Sequence, residues 1–382
     1  MIESIDELST VCREAEDAGL VGLDTEFVWE RTYYPQLGVV QLSIDQDRCY
    51  LVDTVALDGF EPLGVIRGND QVVKILHDAP QDLTILKRLT GVSPRNVFDT
   101  RVAAGFLGYR ASLSLQDLTK YLLNLLLDKT ETRTDWLKRP LSDKQLEYAL
   151  DDVRWLPAIR EKMLERANRN GRYAWMQQEL LELNDPATYE ARDPETQYVR
   201  VKGAGRVSDQ NHGTLQAVTA WREREAEHRD LPRRHVVGDD VLVALAKGRP
   251  STLRKLRQIR SIPPSAIDRY GQALIEAIAE GNNRNPKPLS KPGQFSPKED
   301  VRVEFGLAFV RGRAIDEGID PALTGSRNDV RDAVINGESG ESGRLMAGWR
   351  REFVGDDLQK VLLGEYALRI GGNYGLPRVS ES

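Results

Sequence analysis

The run LVGLDTEFV (20–28) sets two carboxylates, Asp24 and Glu26, inside a stretch that otherwise reads as a buried β-strand. Residues i and i+2 of a strand share a face, so both acids point the same way. Like charges side by side in apolar surroundings repel each other and lose hydration. A divalent cation is the simplest compensation. The alternative is an exposed edge strand with solvated carboxylates, but Asp is disfavoured inside strands, and Leu23 and Phe27 flank the pair.

The remaining composition narrows the chemistry. At 382 residues the chain exceeds one ordinary core, and two or three domains are expected. Its two cysteines, Cys12 and Cys49, exclude a disulfide framework and a Cys-rich zinc site, and fit a reducing cytosol. Four histidines (His77, His212, His228, His235) show no metal-binding spacing. The net charge of −6 gives no global sign of nucleic-acid binding, so any basic surface must be local. The acidic, amphipathic start lacks the basic and apolar regions of a signal peptide. No apolar run approaches the ~18 residues of a membrane span. A soluble cytoplasmic protein is expected, acting as a monomer without a membrane partner or nucleotide cofactor.

Residues 1–175 alternate strand-like and helix-like runs. VGLDTEF (21–27), VVQLSI (39–44) and CYLVD (49–53) read as a meander of short antiparallel strands. VVKILHDA (72–79) reads as a further strand leading into the helical PQDLTILKRL (80–89). Two more helical runs, 112–127 and 140–171, follow. The fold class expected is α/β, a mixed sheet with flanking helices, followed by two small all-α domains. Residues 176–210 read as an extended connector, 211–281 as a compact helical domain, 282–300 with four prolines as a semi-rigid linker, and 301–375 as a second helical domain.

The helical run at 140–171 holds further acids. Ser142 with Gln145 forms a capping-box pattern that starts a helix near Leu141. Tyr148 and Asp152 then share one face. Asp151 lies roughly 100° around from Asp152, so one of the two faces solvent, and apolar spacing does not decide which. Asp82 sits where the fourth strand meets its helix; an Asp in the first helical turn is usually a cap, and capping is the preferred reading on that evidence alone. Hard oxygen ligands select Mg²⁺ or Mn²⁺ over zinc. Two such ions about 4 Å apart are the standard device for phosphodiester hydrolysis.

The segments DTEFVWERTYYPQLGVVQLS, HDAPQDLTIL and LLLDKTETRTDWLKRPLSDKQLEYALDDVRWL, with the helical block after them, resemble the ribonuclease D family. These are 3′→5′ exoribonucleases of the DEDD superfamily with a ribonuclease-H-like catalytic domain. The resemblance is strongest over 20–160, good over 211–281, which resembles an HRDC domain, and weak over 301–372. It implies that Asp24 and Glu26, Asp82, and Tyr148 with Asp152 are the catalytic residues, and that the four acids hold two divalent cations. It also selects Asp152 over Asp151, overturns capping for Asp82, and places the chain in the Tyr-bearing DEDDy subclass. The implied roles are Asp24 shared between the ions, Glu26 and Asp152 on one, Asp82 on the other largely through water, and Tyr148 orienting the attacking water. The implied product is a nucleoside 5′-monophosphate, and the implied partner is RNA, tRNA precursors especially.

Phe27, Gln41 and Leu42 are candidates to flank the terminal nucleotide, core packing being preferred for Leu42. Arg133 is a candidate phosphate contact, whereas Trp136 reads as packing and His77 as a core histidine. Residues 211–281 carry a net charge of +3, much of it in RPSTLRKLRQIRS, so Arg254, Lys255 and Arg257 are candidates for RNA contact. A solvated helix face fits them equally well. Residues 300–372 carry −3, which disfavours direct RNA contact. The competing readings are a 3′→5′ DNA exonuclease on the same fold and a catalytically silent RNA-binding scaffold.

Overall fold

Alternating apolar residues in the first half make strands that need a cover on both faces, and the amphipathic helices between them supply it. The computed structural model describes residues 1–127, 134–284, 286, 296–336, 343–371 and 375–381. Its main sheet has five strands: β1 (Leu20–Val28), β2 (Gln36–Ser43), β3 (Cys49–Asp53), β4 (Val73–Leu76) and β5 (Val97–Asp99). Their spatial order is β3-β2-β1-β4-β5. β2 and β3 pair antiparallel, with Val39 opposite Asp53 and Ser43 opposite Cys49. β4 runs parallel to β1 and β5 parallel to β4.

Helix α1 (Ile5–Ala18) starts on a Ser4 cap and ends at Gly19, whose φ of 68° makes the left-handed turn into β1. Helices α2 (Glu61–Gly68) and α3 (Pro80–Thr90) share its side of the sheet, since Leu8, Leu63 and Leu86 join Leu23 and Leu42 in one core. Three more helices follow: α4 (Thr100–Phe106), α5 (Leu115–Leu123) and α6 (Asp143–Arg154). α7 (Leu156–Arg169) and α8 (Tyr173–Leu181) complete the run. The single helix expected over 140–171 is divided at Trp155, because Pro157 cannot continue α6 but suits the first turn of α7. The expected capping box is formed, with Ser142 and Gln145 each bonding the other's backbone.

The chain divides into two compact units. One combines Met1–Glu26, Leu37–Tyr189 and Phe295–Ser382; the other combines Phe27–Gln36 with Glu190–Gln294. In the second, α9 (His212–His228), α10 (Arg233–Val236), α11 (Asp239–Gly248), α12 (Leu253–Leu256) and α13 (Pro264–Gly281) surround one core. Much of the expected connector belongs to that core: Tyr198, Val201, Ala204 and Val207 are buried with Leu215, Leu242 and Leu274. The Pro/Gly/Asp composition of 176–210 reflects short 3₁₀ turns, such as Pro194–Arg200, rather than an extended linker. Segment 27–36 is held there as well. The Tyr33 hydroxyl bonds Glu223 (3.0 Å), the Tyr34 hydroxyl bonds Glu227 (2.5 Å), and the Tyr33 amide donates to Asp230 (3.1 Å).

The last block was expected to be a module of its own, yet it shares the core of the first unit. It comprises α14 (Pro297–Asp316), α15 (Pro321–Thr324), α16 (Arg327–Asn336), α17 (Gly348–Arg350) and α18 (Asp356–Leu363). Phe309, Val310 and Trp349 pack with Phe98, Phe106 and Ile159 in one cluster. Glu179 on α8 accepts hydrogen bonds from Arg350 (2.6 Å), Trp349 Nε1 (2.8 Å) and Arg344 (2.9 Å). The block also ends in a hairpin, β6 (Tyr366–Gly371) with β7 (Leu376–Glu381), which the all-helical expectation omits. Pro377 inside β7 masks the strand pattern, and among the described residues no third strand extends this pair.

Candidate functional site

β1 carries Asp24 and Glu26 outward from the sheet centre. Gly22, one step earlier on the same face, leaves room for the α6–α7 junction: a Cβ there would meet Leu156 Cβ and Val153 O at 3.3 Å and press on Ser43. Ser43 Oγ donates to Val153 O (2.7 Å), fixing the end of α6 against β2. That docking brings Asp152 to the strand. Asp24, Glu26 and Asp152 each offer an oxygen, all within 4.8 Å of one another, a grouping able to hold a metal ion.

Asp151 turns away, its carboxylate 2.5 Å from Arg154. Tyr148, one turn before Asp152, lies close enough for its phenol to act on that carboxylate, and its ring lies 6.1 Å from that of Trp136. Asp82 is buried in the first turn of α3 but does not cap it; it accepts the Thr25 hydroxyl. Asp99 takes the capping work instead. Its carboxylate accepts the amides of Asp78 (3.2 Å), Ala79 (2.9 Å) and Arg101 (2.8 Å), joining the starts of α3 and α4. No sequence signal had singled out Asp99, because a buried Asp at a strand end is indistinguishable there from any N-cap.

Burial, followed by mutual repulsion, shapes the electrostatics. Asp24 is pushed well above the ordinary carboxylate range by burial and then by Asp82, Asp152 and Glu26. Burial and the neighbouring Asp152 and Asp82 raise Glu26 to about 8. Asp82 and Asp152 rise to about 6 and about 7, mainly through burial. Tyr148 is pushed up too, by burial and the surrounding acids, so its phenol stays protonated. Among the described residues, the groups that act most strongly on Asp24, Glu26 and Asp152 include no lysine or arginine. Clustered, desolvated oxygens without a protein cation are what a hard metal ion would compensate.

The other expected positions are spread out. Phe27 lies half-buried at the end of β1. Gln41 and Leu42 are fully enclosed, so neither can face a nucleotide directly; the Gln41 amide points the same way as Ser43 and has no hydrogen-bond partner. Trp136 is 2% exposed, packed against Val39, Leu51 and Ala149. His77 bonds Thr100 Oγ1 (2.8 Å) and Leu113 O (3.1 Å), and burial lowers it to about 4, which keeps it neutral at physiological pH. Arg133 lies outside the described residues. Arg254, Lys255 and Arg257 stand exposed on and beside the four-residue α12.

A family model for 3′–5′ exonucleases matches residues 1–168, and one for HRDC domains matches residues 211–278. Ribonuclease D of Desulfotalea psychrophila is 39% identical over 364 residues, covering 94% of this chain and 97% of that protein. The chain belongs to the ribonuclease D family. It is a 3′→5′ exoribonuclease, and its acidic group is able to hold metal. Ribonuclease D of Gluconacetobacter diazotrophicus is 34% identical, covering 97% of this chain and 95% of that one. The crystal structure of Escherichia coli RNase D, described as an exoribonuclease involved in structured RNA processing, superposes with a TM-score of 0.85 at 27% identity. That match covers 95% of this chain and 98% of the other. No described helix is long and apolar enough to cross a membrane.

Proposed function

We propose that this chain trims 3′ extensions from tRNA and other structured RNA precursors, releasing nucleoside 5′-monophosphates at a site that holds two divalent cations, Mg²⁺ or Mn²⁺. The convergence of Asp24, Glu26 and Asp152 within 4.8 Å supports this reading most directly. Asp24, Glu26 and Asp152 would hold one ion, and Asp24 with Asp82 the other. When bound, such ions lower the pKa of water and stabilise charge on the attacking and leaving oxygens of the phosphodiester.

The chain's own residues supply position. Thr25, donating to Asp82, keeps that carboxylate aimed away from the helix it opens. The protonated Tyr148 hydroxyl is a donor and not a base; it would help place Asp152 and orient the attacking water. Replacing Tyr148 with Phe should lower kcat about 10- to 100-fold, the range for an outer partner of a ligand. The pH profile should keep its shape; loss of one limb would instead identify Tyr148 as a titrating base.

Each cation has to displace protons from this site. With Glu26 near 8 and Asp152 near 7 in the metal-free protein, apparent Mn²⁺ affinity should rise between pH 6 and pH 8. Calorimetry in buffers of different ionisation enthalpy should record proton release, and a pH-independent affinity would speak against these ligands. The functional reading itself is tested on 3′-extended tRNA with and without chelator, beside a matched DNA 3′ end. Metal-dependent shortening of the RNA is expected; preference for DNA, or activity surviving chelation, would overturn it.

A further inference from the structure

A basic cavity of the second unit has no α12 residue in its wall. It has a volume of about 430 Å³ and is bounded by the 190–201 segment on one side and by α9, α10 and α11 on the other. Five arginines line it: Arg192, Arg200, Arg222, Arg233 and Arg234. Its two acids are already engaged. Asp239 takes Arg222 Nη1 at 2.6 Å, and Glu223 is shared between Arg222 and Arg233. Arg233 is further fixed with its guanidinium 4.7 Å from the centre of the Tyr33 ring.

Three cations therefore remain over. Arg192, Arg200 and Arg234 make no ion pair with any described residue, and the cavity carries a net positive charge. Arg222 is only 5% exposed, yet its Nε is buried without a hydrogen-bond acceptor. A buried guanidinium N–H without a partner is costly unless a ligand completes it. A second cavity of about 400 Å³ adjoins the first, sharing Arg234 and Gly238. It is lined by Tyr270 and Ser261, whose buried hydroxyls also lack partners, and by Arg269.

We infer that these adjoining cavities bind successive phosphates of an RNA strand, with the 190–201 segment supplying half of the cationic wall. Arginine forks suit phosphate oxygens, and hydroxyl donors suit the oxygens that follow along the backbone. The ligand is a phosphodiester chain and not a lone anion, because donors without partners continue from one cavity into the next. This rests on the chain acting on RNA, and binding is read without turnover so that the two ideas can fail separately.

The test uses the full chain carrying Asp24→Asn, with fluorescence anisotropy of an end-labelled single-stranded RNA over a salt series. Adding R192Q, R200Q and R234Q should weaken binding tenfold or more. The slope of log affinity against log salt should fall by about 2, from roughly 0.7 per phosphate contact on single strands. Y270F should weaken binding severalfold at an unchanged slope. Circular dichroism of the variants should match the parent. An unchanged slope in the triple variant would overturn the inference, as would a slope carried wholly by Arg254, Lys255 and Arg257. Titration with inorganic phosphate separates the remaining source: if it binds at the arginines while RNA affinity is insensitive to their loss, the cavity is a small-anion site and the inference fails.

Discussion

Asp24→Asn should abolish nucleotide release while making the metal-free protein more stable. The loss should exceed about a hundredfold, the upper limit for groups that merely support a metal ligand, and is read as released 5′-monophosphate. The gain in stability follows from proton linkage. Glu26 and Asp152 hold their protons in the folded chain up to about pH 8 and 7, whereas their ordinary values are 4.5 and 3.8. The folded state therefore binds more protons than the unfolded one in that interval, and metal-free stability falls as pH rises through it. Asparagine at position 24 removes the most strongly disfavoured charge of the group. The variant's melting temperature should exceed wild type at pH 8 in chelator, with the gap closing towards pH 5. Equal melting at pH 8 would show that the acids do not repel one another in the folded protein.

The second large effect concerns Glu179. Although burial raises its pKa, hydrogen bonds from Arg350 and Trp349 dominate and hold the carboxylate below its usual range. Arg350 is 3% exposed and depends on that carboxylate. Glu179→Ala should cost about 3–5 kcal/mol, the typical penalty for stranding one partner of a buried ion pair. Urea unfolding followed by circular dichroism should give a lower midpoint. Because 296–336 and 343–371 share a core with α4, α7 and α8, the catalytic unit should lose them in the same transition and not in a separate earlier one. A distinct low-urea step confined to the C-terminal helices would contradict the shared core.

Much of the catalytic half was legible because its signals are local. The i, i+2 acids of β1, the capping box at Ser142 and the four-residue spacing of Tyr148 and Asp152 all follow from strand and helix periods. What stayed hidden depends on partners far along the chain. The choice between Asp151 and Asp152 turns on Arg154 and on how Gly22 admits α6. The freedom of Asp82 depends on Asp99 taking over the amides at the start of α3. Gln41 sits in a strand like a wall residue, but its full enclosure comes from packing that the strand pattern does not reveal. The 190–201 arginines were passed over because Pro/Gly/Asp-rich sequence resembles a tether, while buried Tyr198 and Val201 make it part of a core. The separateness of the last block was inferred from the proline run before it, and sequence alone does not reveal that its apolar faces belong to α4, α7 and α8.

The grip of Glu223, Glu227 and Asp230 on Tyr33 and Tyr34 bears on how such a protein can be inherited. The strand that carries Asp24 and Glu26 runs straight into a segment whose hydrogen-bond acceptors are encoded about 190 residues later. A gene that discards the helical unit, or exchanges it for another, breaks these contacts of Tyr33 and Tyr34 a few positions beyond Asp24 and Glu26. Recombination at the obvious boundaries is therefore penalised, and a successful exchange has to carry 27–36 along with the helices or rewrite both together. The two halves are expected to change in step over evolution, with substitutions at 33 and 34 matched by substitutions at 223, 227 and 230.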